Sequence, residues 1–201
     1  MLSFVLFAFV ASITPGPTNI LVLSNSARFG LTASLPIVLG ACLGASALVL
    51  LVGTGAGRSL MQVPGAQSIM ALAGVIWLSW LAWKIYRSPA EPVERSNPER
   101  RLGFWGAAGL QVVNPKTWMM ALAVVSVFSQ GSVAHLALAF LLVSLPCLGC
   151  WALLGAGSAR WLTSPTLMRW FNRGMAMLLL VSAWTGFFTS QALPFSLGTQ
   201  F

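Results

Sequence analysis

The chain has 201 residues, 57% of them hydrophobic and only 7% charged, with a mean hydropathy of +0.84; a soluble domain carries roughly 25% charged residues. That composition excludes a water-soluble globule and marks an integral membrane protein. The formal charge of +8 arises from 11 basic and 3 acidic residues, and because the basic ones flank apolar stretches, anionic lipid headgroups rather than nucleic acid are their expected partners.

Six apolar stretches are long enough to cross a hydrocarbon core of about 30 Å, over 2–23, 35–57, 69–86, 104–128, 136–157 and 175–195. The first lacks the basic n-region of a secretory signal and is read as a retained span. It is interrupted by Ile13-Thr14-Pro15-Gly16-Pro17-Thr18-Asn19. A proline has no backbone N–H and crowds the carbonyl four residues back, so Pro15 and Pro17 should free the carbonyls of Ala11 and Ile13. Lipid cannot satisfy such groups, so they must face protein, water or a solute. The second span carries small residues, Gly40, Ala41, Gly44, Ala45 and Ala47, that permit close helix approach. The third is aromatic and ends at Lys84 and Arg87.

Residues 88–103 form the central linker, which holds all the acidic residues of the chain, Glu91, Glu94 and Glu99. The fourth span is interrupted by Val113-Asn114-Pro115-Lys116-Thr117, where Pro115 should free the Gln111 carbonyl. The fifth span carries Pro146, Cys147, Gly149, Cys150, Gly155 and Ala156. Arg160, Arg169 and Arg173 separate it from the sixth. Nine of the eleven basic residues fall in or beside the first, third and fifth loops, with Arg58 and Lys116 the remainder. The positive-inside rule makes those loops cytoplasmic and leaves both termini outside.

The halves match in order. Leu2-Ser3-Phe4 and Leu102-Gly103-Phe104 precede Pro15 and Pro115 by equal distances, and Ala41-Cys42-Leu43-Gly44 parallels Pro146-Cys147-Leu148-Gly149. Repeat one spans 1–87 and repeat two 104–201. An odd number of spans per repeat inverts the second copy, so the expected fold is all-α, with six transmembrane helices in two inverted three-helix repeats and broken helices one and four. Secondary transporters of this plan hold their solute at the breaks.

A break exposes the N-terminus of the following half-helix, which attracts an anion, while the freed carbonyls before it attract a cation. A zwitterion suits both. Lys116 costs about 2.5–3.5 kcal/mol at membrane depth unless it finds water or a partner. With no acidic residue in any span, that partner is a substrate carboxylate or backbone carbonyls; snorkelling toward an interface is the other reading. Thr14, Asn19, Gln111 and Asn114 offer neutral donors and acceptors nearby, or cap the broken helices. The candidate site is therefore Thr14, Pro15, Gly16, Pro17, Asn19, Gln111, Asn114, Pro115 and Lys116.

Thr14-Pro15-Gly16-Pro17-Thr18-Asn19 together with Asn114-Pro115-Lys116 resembles the LysE/RhtB family of amino-acid exporters. The resemblance extends through Gly74 to Lys84, Phe104 to Lys116, Cys150-Trp151-Ala152-Leu153 and Phe171-Asn172. It implies a small permease of the bacterial inner membrane that exports amino acids or close derivatives, with a proton or other ion as possible coupling partner. Trp80 to Ile85 and Cys150 to Leu153 are most similar to the cysteine and O-acetylserine exporters. Family members often carry an aspartate in span five where this chain has Cys147, which argues against a basic substrate and removes a proton carrier. His135, the only histidine, is read as a loop residue. A homodimer is compatible with the Gly and Ala surface.

Cys147 and Cys150 form a C-x-x-C, and Cys42 matches Cys147 in the other half. A transmembrane thiol–disulfide electron carrier is thus an alternative, although apolar surroundings raise a thiol's pKa and packing explains buried cysteines. Enzyme readings fail on residue types: the chain has no Asp and one His, too few for a triad or a zinc site. Gly53-Thr54-Gly55-Ala56-Gly57 lacks the Lys and Ser/Thr of a P-loop. No cofactor is expected.

Overall fold

The computed structural model describes residues 2–55, 59, 63, 65–88, 102–128, 132–159, 161 and 164–192. Linker residues 89–101 with their three glutamates, Arg58, Arg160 and the tail from 193 lie outside the described residues. Among the described residues every regular element is a helix: α1 (Leu2–Ile13), α2 (Pro17–Phe29), α3 (Leu31–Gly53), α4 (Ala66–Tyr86), α5 (Phe104–Val113), α6 (Pro115–Phe128), α7 (Val133–Ala159) and α8 (Pro165–Ala192). The all-α expectation holds.

Both sequence interruptions end a helix. α1 stops before Pro15, and α2 restarts with Pro17 at its first position, where the missing N–H costs nothing. The two axes differ by 56°. The second break is tighter, since Asn114 alone separates α5 from α6. A single glycine joins α2 to α3: Gly30 has φ 85°, which a side chain rarely tolerates, and its N–H closes α2 on the Ser26 carbonyl at 2.9 Å. α3, of 23 residues, and Val133–Ser158 are each long and apolar enough to cross a membrane, as is the α1–α2 pair taken together.

α8 begins at Pro165, ten residues before the apolar stretch that marked the sixth span. Proline at the first helical position and the Ser164 hydroxyl, which accepts the Leu167 N–H at 3.2 Å, start the helix in a polar segment that hydropathy alone ignores. His135 likewise lies in the first turn of α7, exposed, rather than in a loop.

α3 packs against α5, α6 and α7; α7 packs against α1, α2 and α3; and α4 runs along α8. The buried faces form three clusters. One joins Phe4 and Ala8 to Leu48, Val49, Val125 and Phe140. Another joins Leu21 to Leu78, Leu110 and Leu179, and a third joins Val22 to Ile37, Cys42, Ala107 and Ala152. Outward faces are no less apolar: Leu6, Phe9, Val10, Leu142, Leu153, Leu154, Met177 and Val181 are all exposed. Such a surface suits lipid and not water.

Lipid tails are as apolar as leucine, so close packing rather than water exclusion must hold these helices together. Glycines provide it. Gly40 lies against the Phe104 carbonyl, Gly155 against the Leu23 carbonyl and Gly74 against the Val113 carbonyl, each so near that a Cβ could not fit. Hydroxyls add interhelical bonds: Ser26 donates to the Ala152 carbonyl (2.6 Å) and Ser46 to the Ala137 carbonyl (2.9 Å).

Candidate functional site

Proline's effect on the carbonyls before it is visible at the first break. The Ser12 carbonyl accepts Asn19 Nδ2 (2.8 Å), the Ile13 carbonyl accepts Trp151 Nε1 of α7 (3.1 Å), and the Thr14 carbonyl accepts Lys116 Nζ of α6 (2.8 Å). Three successive carbonyls that a continuous helix would have used internally are thus taken by side chains. Asn19 lies across the break and closes it locally. Trp151 and Lys116 come from the second half of the chain, so the break in one half is completed by the other.

The second break is built around Asn114. Its Oδ1 accepts the Lys116 backbone N–H (3.2 Å) and its carbonyl accepts the Thr117 N–H (3.0 Å), so it caps α6. The Gln111 carbonyl, which Pro115 was expected to free, accepts the Asn114 N–H at 3.4 Å. Gln111 Nε2 and Asn114 Nδ2 both reach the Thr18 hydroxyl, at 3.3 and 3.4 Å, while Thr117 donates to Gln111 Oε1 at 2.8 Å. Trp118 Nε1 takes the Val112 carbonyl. These side chains are deeply buried, Asn114 and Thr117 at 2% exposure, so the network sits in the protein and not at its edge.

Gly16 explains how the two breaks come so close. Its backbone is extended, φ −163°, which any residue can adopt, so conformation does not require glycine here. Space does. A Cβ at Gly16 would lie 3.0 Å from Lys116 Nζ and 3.1 Å from its Cδ, so the lysine stem rests on the bare backbone.

Between the breaks lies a cavity of about 40 Å³, room for a few waters. Gly16, Pro17, Thr18, Asn19, Gln111, Asn114, Lys116 and Thr117 line it, with Ser12, Cys42, Phe140 and Ser144. Of the residues marked in sequence, Thr14, Pro15 and Pro115 do not line it. Pro15 is exposed, Pro115 shapes α6, and Thr14 contributes its carbonyl while its hydroxyl turns back to the Val10 carbonyl. Ser12, Thr18, Thr117, Cys42 and Trp151 join the site without having been assigned to it. Thr18 and Thr117 stood inside the quoted motifs beside Asn19 and Lys116, and Ser12 directly precedes the first break, so spacing could have drawn them in; Cys42 and Trp151 meet the breaks only through folding. Ser12 is 6% exposed and its hydroxyl has no hydrogen-bond partner among the described residues.

A second, larger space of about 700 Å³ opens at the other ends of α2 and α5, lined by Asn25, Arg28, Trp80, Lys84 and Arg87 with Leu102 and Gly106. Arg28 donates to the Ser88 hydroxyl, and Lys84 and Arg87 lie over the rings of Trp80 and Trp83 at 4.2 and 4.4 Å. α2 and α5 therefore each border the narrow cavity at one end and the wide one at the other. Cys42, Cys147 and Cys150 are all free; Cys42 and Cys147 are buried and Cys150 is exposed. No group of three or more metal-ligating side chains occurs among the described residues. Trp83, Trp105, Trp161 and Trp170 are exposed, as an interfacial belt requires. Trp184 is also exposed, packed on Phe187 and Phe188 rather than on the cavity.

Comparison with known proteins agrees with these features. The family described as LysE type translocator matches residues 9–186. A cysteine/O-acetylserine efflux protein of Klebsiella pneumoniae is 30% identical over 163 residues, covering 76% of this chain and 80% of the relative. Proteins of the same description from Salmonella typhimurium and Escherichia coli O1:K1 are 33% and 32% identical over 156 residues, covering 74% of this chain and 78% of each relative. No solved structure matches. With both helix breaks inside the matched region, the chain belongs to the LysE-type translocator family and is a multi-pass membrane transporter rather than an enzyme.

Proposed function

We propose that this protein exports small zwitterionic amino acids or close derivatives, in the class of cysteine and O-acetylserine, across the bacterial inner membrane. The relatives' description as cysteine/O-acetylserine efflux proteins supports the solute class. The observation that carries the site is the hydrogen bond from Lys116 Nζ to the Thr14 carbonyl, which joins the two breaks beside a cavity with no carboxylate among the described residues that line it. A solute carboxylate would take Lys116 and the N-terminus of α2, and a solute ammonium would take the carbonyls at the end of α1. Asn19, Gln111 and Asn114, with Thr14, Pro15, Gly16, Pro17 and Pro115 as the backbone that shapes them, complete the site.

Six spans in two inverted repeats, 1–87 and 104–201 about the linker 88–103, suit this reading. Each half's second helix packs on the other half's broken helix, α3 on α5 and α6 and α7 on α1 and α2, while α4 pairs with α8. Export proceeds by alternating access. By the positive-inside rule the basic rim at Arg28, Lys84 and Arg87 supports a wide space that faces the cytoplasm, in a protein with both termini outside. From there α2 and α5 lead the solute to the narrow cavity.

The test is efflux from proteoliposomes preloaded with labelled cysteine or O-acetylserine. Saturable efflux in the wild type, lost in Lys116→Ala and Pro115→Ala at unchanged protein abundance, supports the reading. Wild-type rates in both variants would move the site elsewhere.

A further inference from the structure

Lys116 rests in an unfavourable place for an ammonium. It lies 3.0 Å from where a Cβ of Gly16 would stand, beside the N-terminus of α2, whose partial charge is positive. No carboxylate can be near from within the spans, because the chain has no Asp and its three Glu are all in the linker. What holds the ammonium there is the Thr14 carbonyl at 2.8 Å. Ser12, at 6% exposure, lines the cavity that Lys116 and Gly16 also line, and its hydroxyl has no partner among the described residues.

We infer that the Thr14 carbonyl is a binding subsite for a primary ammonium group, and that Lys116 is its tethered occupant when no solute is bound. This inference rests on the export reading and deepens it. An arriving zwitterion replaces Lys116 on the Thr14 carbonyl with its own ammonium and gives Lys116 its carboxylate, while the Ser12 hydroxyl gains a polar partner. Both the empty and the loaded site then keep the carbonyl satisfied and carry the same net charge. The exchange needs a mobile lysine stem, which Gly16 allows by offering no side chain to wedge it. It also defines the substrate: an amine alone lacks the carboxylate that draws Lys116 away, and an acid alone leaves the carbonyl to the lysine.

Chemical rescue tests this directly. Purified Lys116→Ala protein in detergent is titrated with ethylammonium, with tetramethylammonium, which cannot donate a hydrogen bond, as control. The expected result is a saturable rise of several degrees in the thermal midpoint of the variant with ethylammonium only, and no rise in the wild type, whose subsite is filled. A monodisperse variant without a saturable ethylammonium effect, or an equal effect in the wild type, overturns the inference. Lys116→Ser carries the same titration should the alanine variant not fold. A measurement on the wild type needs no variant: the N-trimethylated form of a transported amino acid should compete with efflux at least tenfold more weakly than its parent, and equal competition overturns the subsite. The titration reads binding without transport, so rescue in a protein that exports no amino acid would keep the subsite and reject the export reading.

Discussion

Gly16 and Trp151 do at single positions what the motif around them only outlines. Ala at position 16 fits the extended backbone there but places its Cβ 3.0 Å from Lys116 Nζ. The flexible lysine end must yield, so Gly16→Ala should lower export about tenfold, the loss expected of one charge-assisted hydrogen bond, with no loss of folded protein in size-exclusion profiles. Trp151→Phe leaves the Ile13 carbonyl without its donor. The acceptor is half-buried, so losing its donor costs up to about 1 kcal/mol, and the thermal midpoint of solubilised protein should fall, in contrast to Gly16→Ala. The sequence made the proline breaks legible because proline's chemistry is local. The bond from Trp151 to the first break was not legible, since it depends on which distant segment folds against that break, whereas Thr117 and Ser12 lie in or beside the breaks themselves and could have been read from their place in the sequence.

At the scale of helices, the breaks are held by backbone contact. Gly74 of α4 sits on the Val113 carbonyl, the last of α5 before the second break. Neither partner is a flexible side chain, so Gly74→Ala should cost about 1–3 kcal/mol of overpacking and sharply reduce the amount of folded protein in membranes. Gly149→Ala is the matched control, because a Cβ there meets nothing within 4 Å; its abundance and export should be those of the wild type. Small residues in spans two and five thus proved unequal: Gly40, Gly44 and Gly155 meet neighbouring carbonyls while Gly149 and Gly157 meet open space. Composition flags the class, and only the register of one helix on the next separates its members. The early start of α8 was missed for a related reason, as a proline and a serine cap begin a helix without adding hydropathy.

For the whole molecule, the two halves complete each other: Lys116 and Trp151 from the second half close the break of the first. The thiol-carrier alternative predicts that export, if any, depends on Cys147 and Cys150. One of these is buried and the other exposed, and the family is one of translocators, so the double change Cys147→Ser and Cys150→Ser should leave efflux at the wild-type rate. Loss of efflux in a well-folded double variant would restore a redox role. The most direct measurement is efflux from preloaded proteoliposomes of the purified wild-type protein against labelled cysteine, O-acetylserine, threonine, leucine and lysine, with Lys116→Ala in parallel. Saturable efflux of the small zwitterions, little of lysine, and none in Lys116→Ala is the expected result; equal movement of all five in both proteins, or of none in either, would contradict a zwitterion site at the paired breaks.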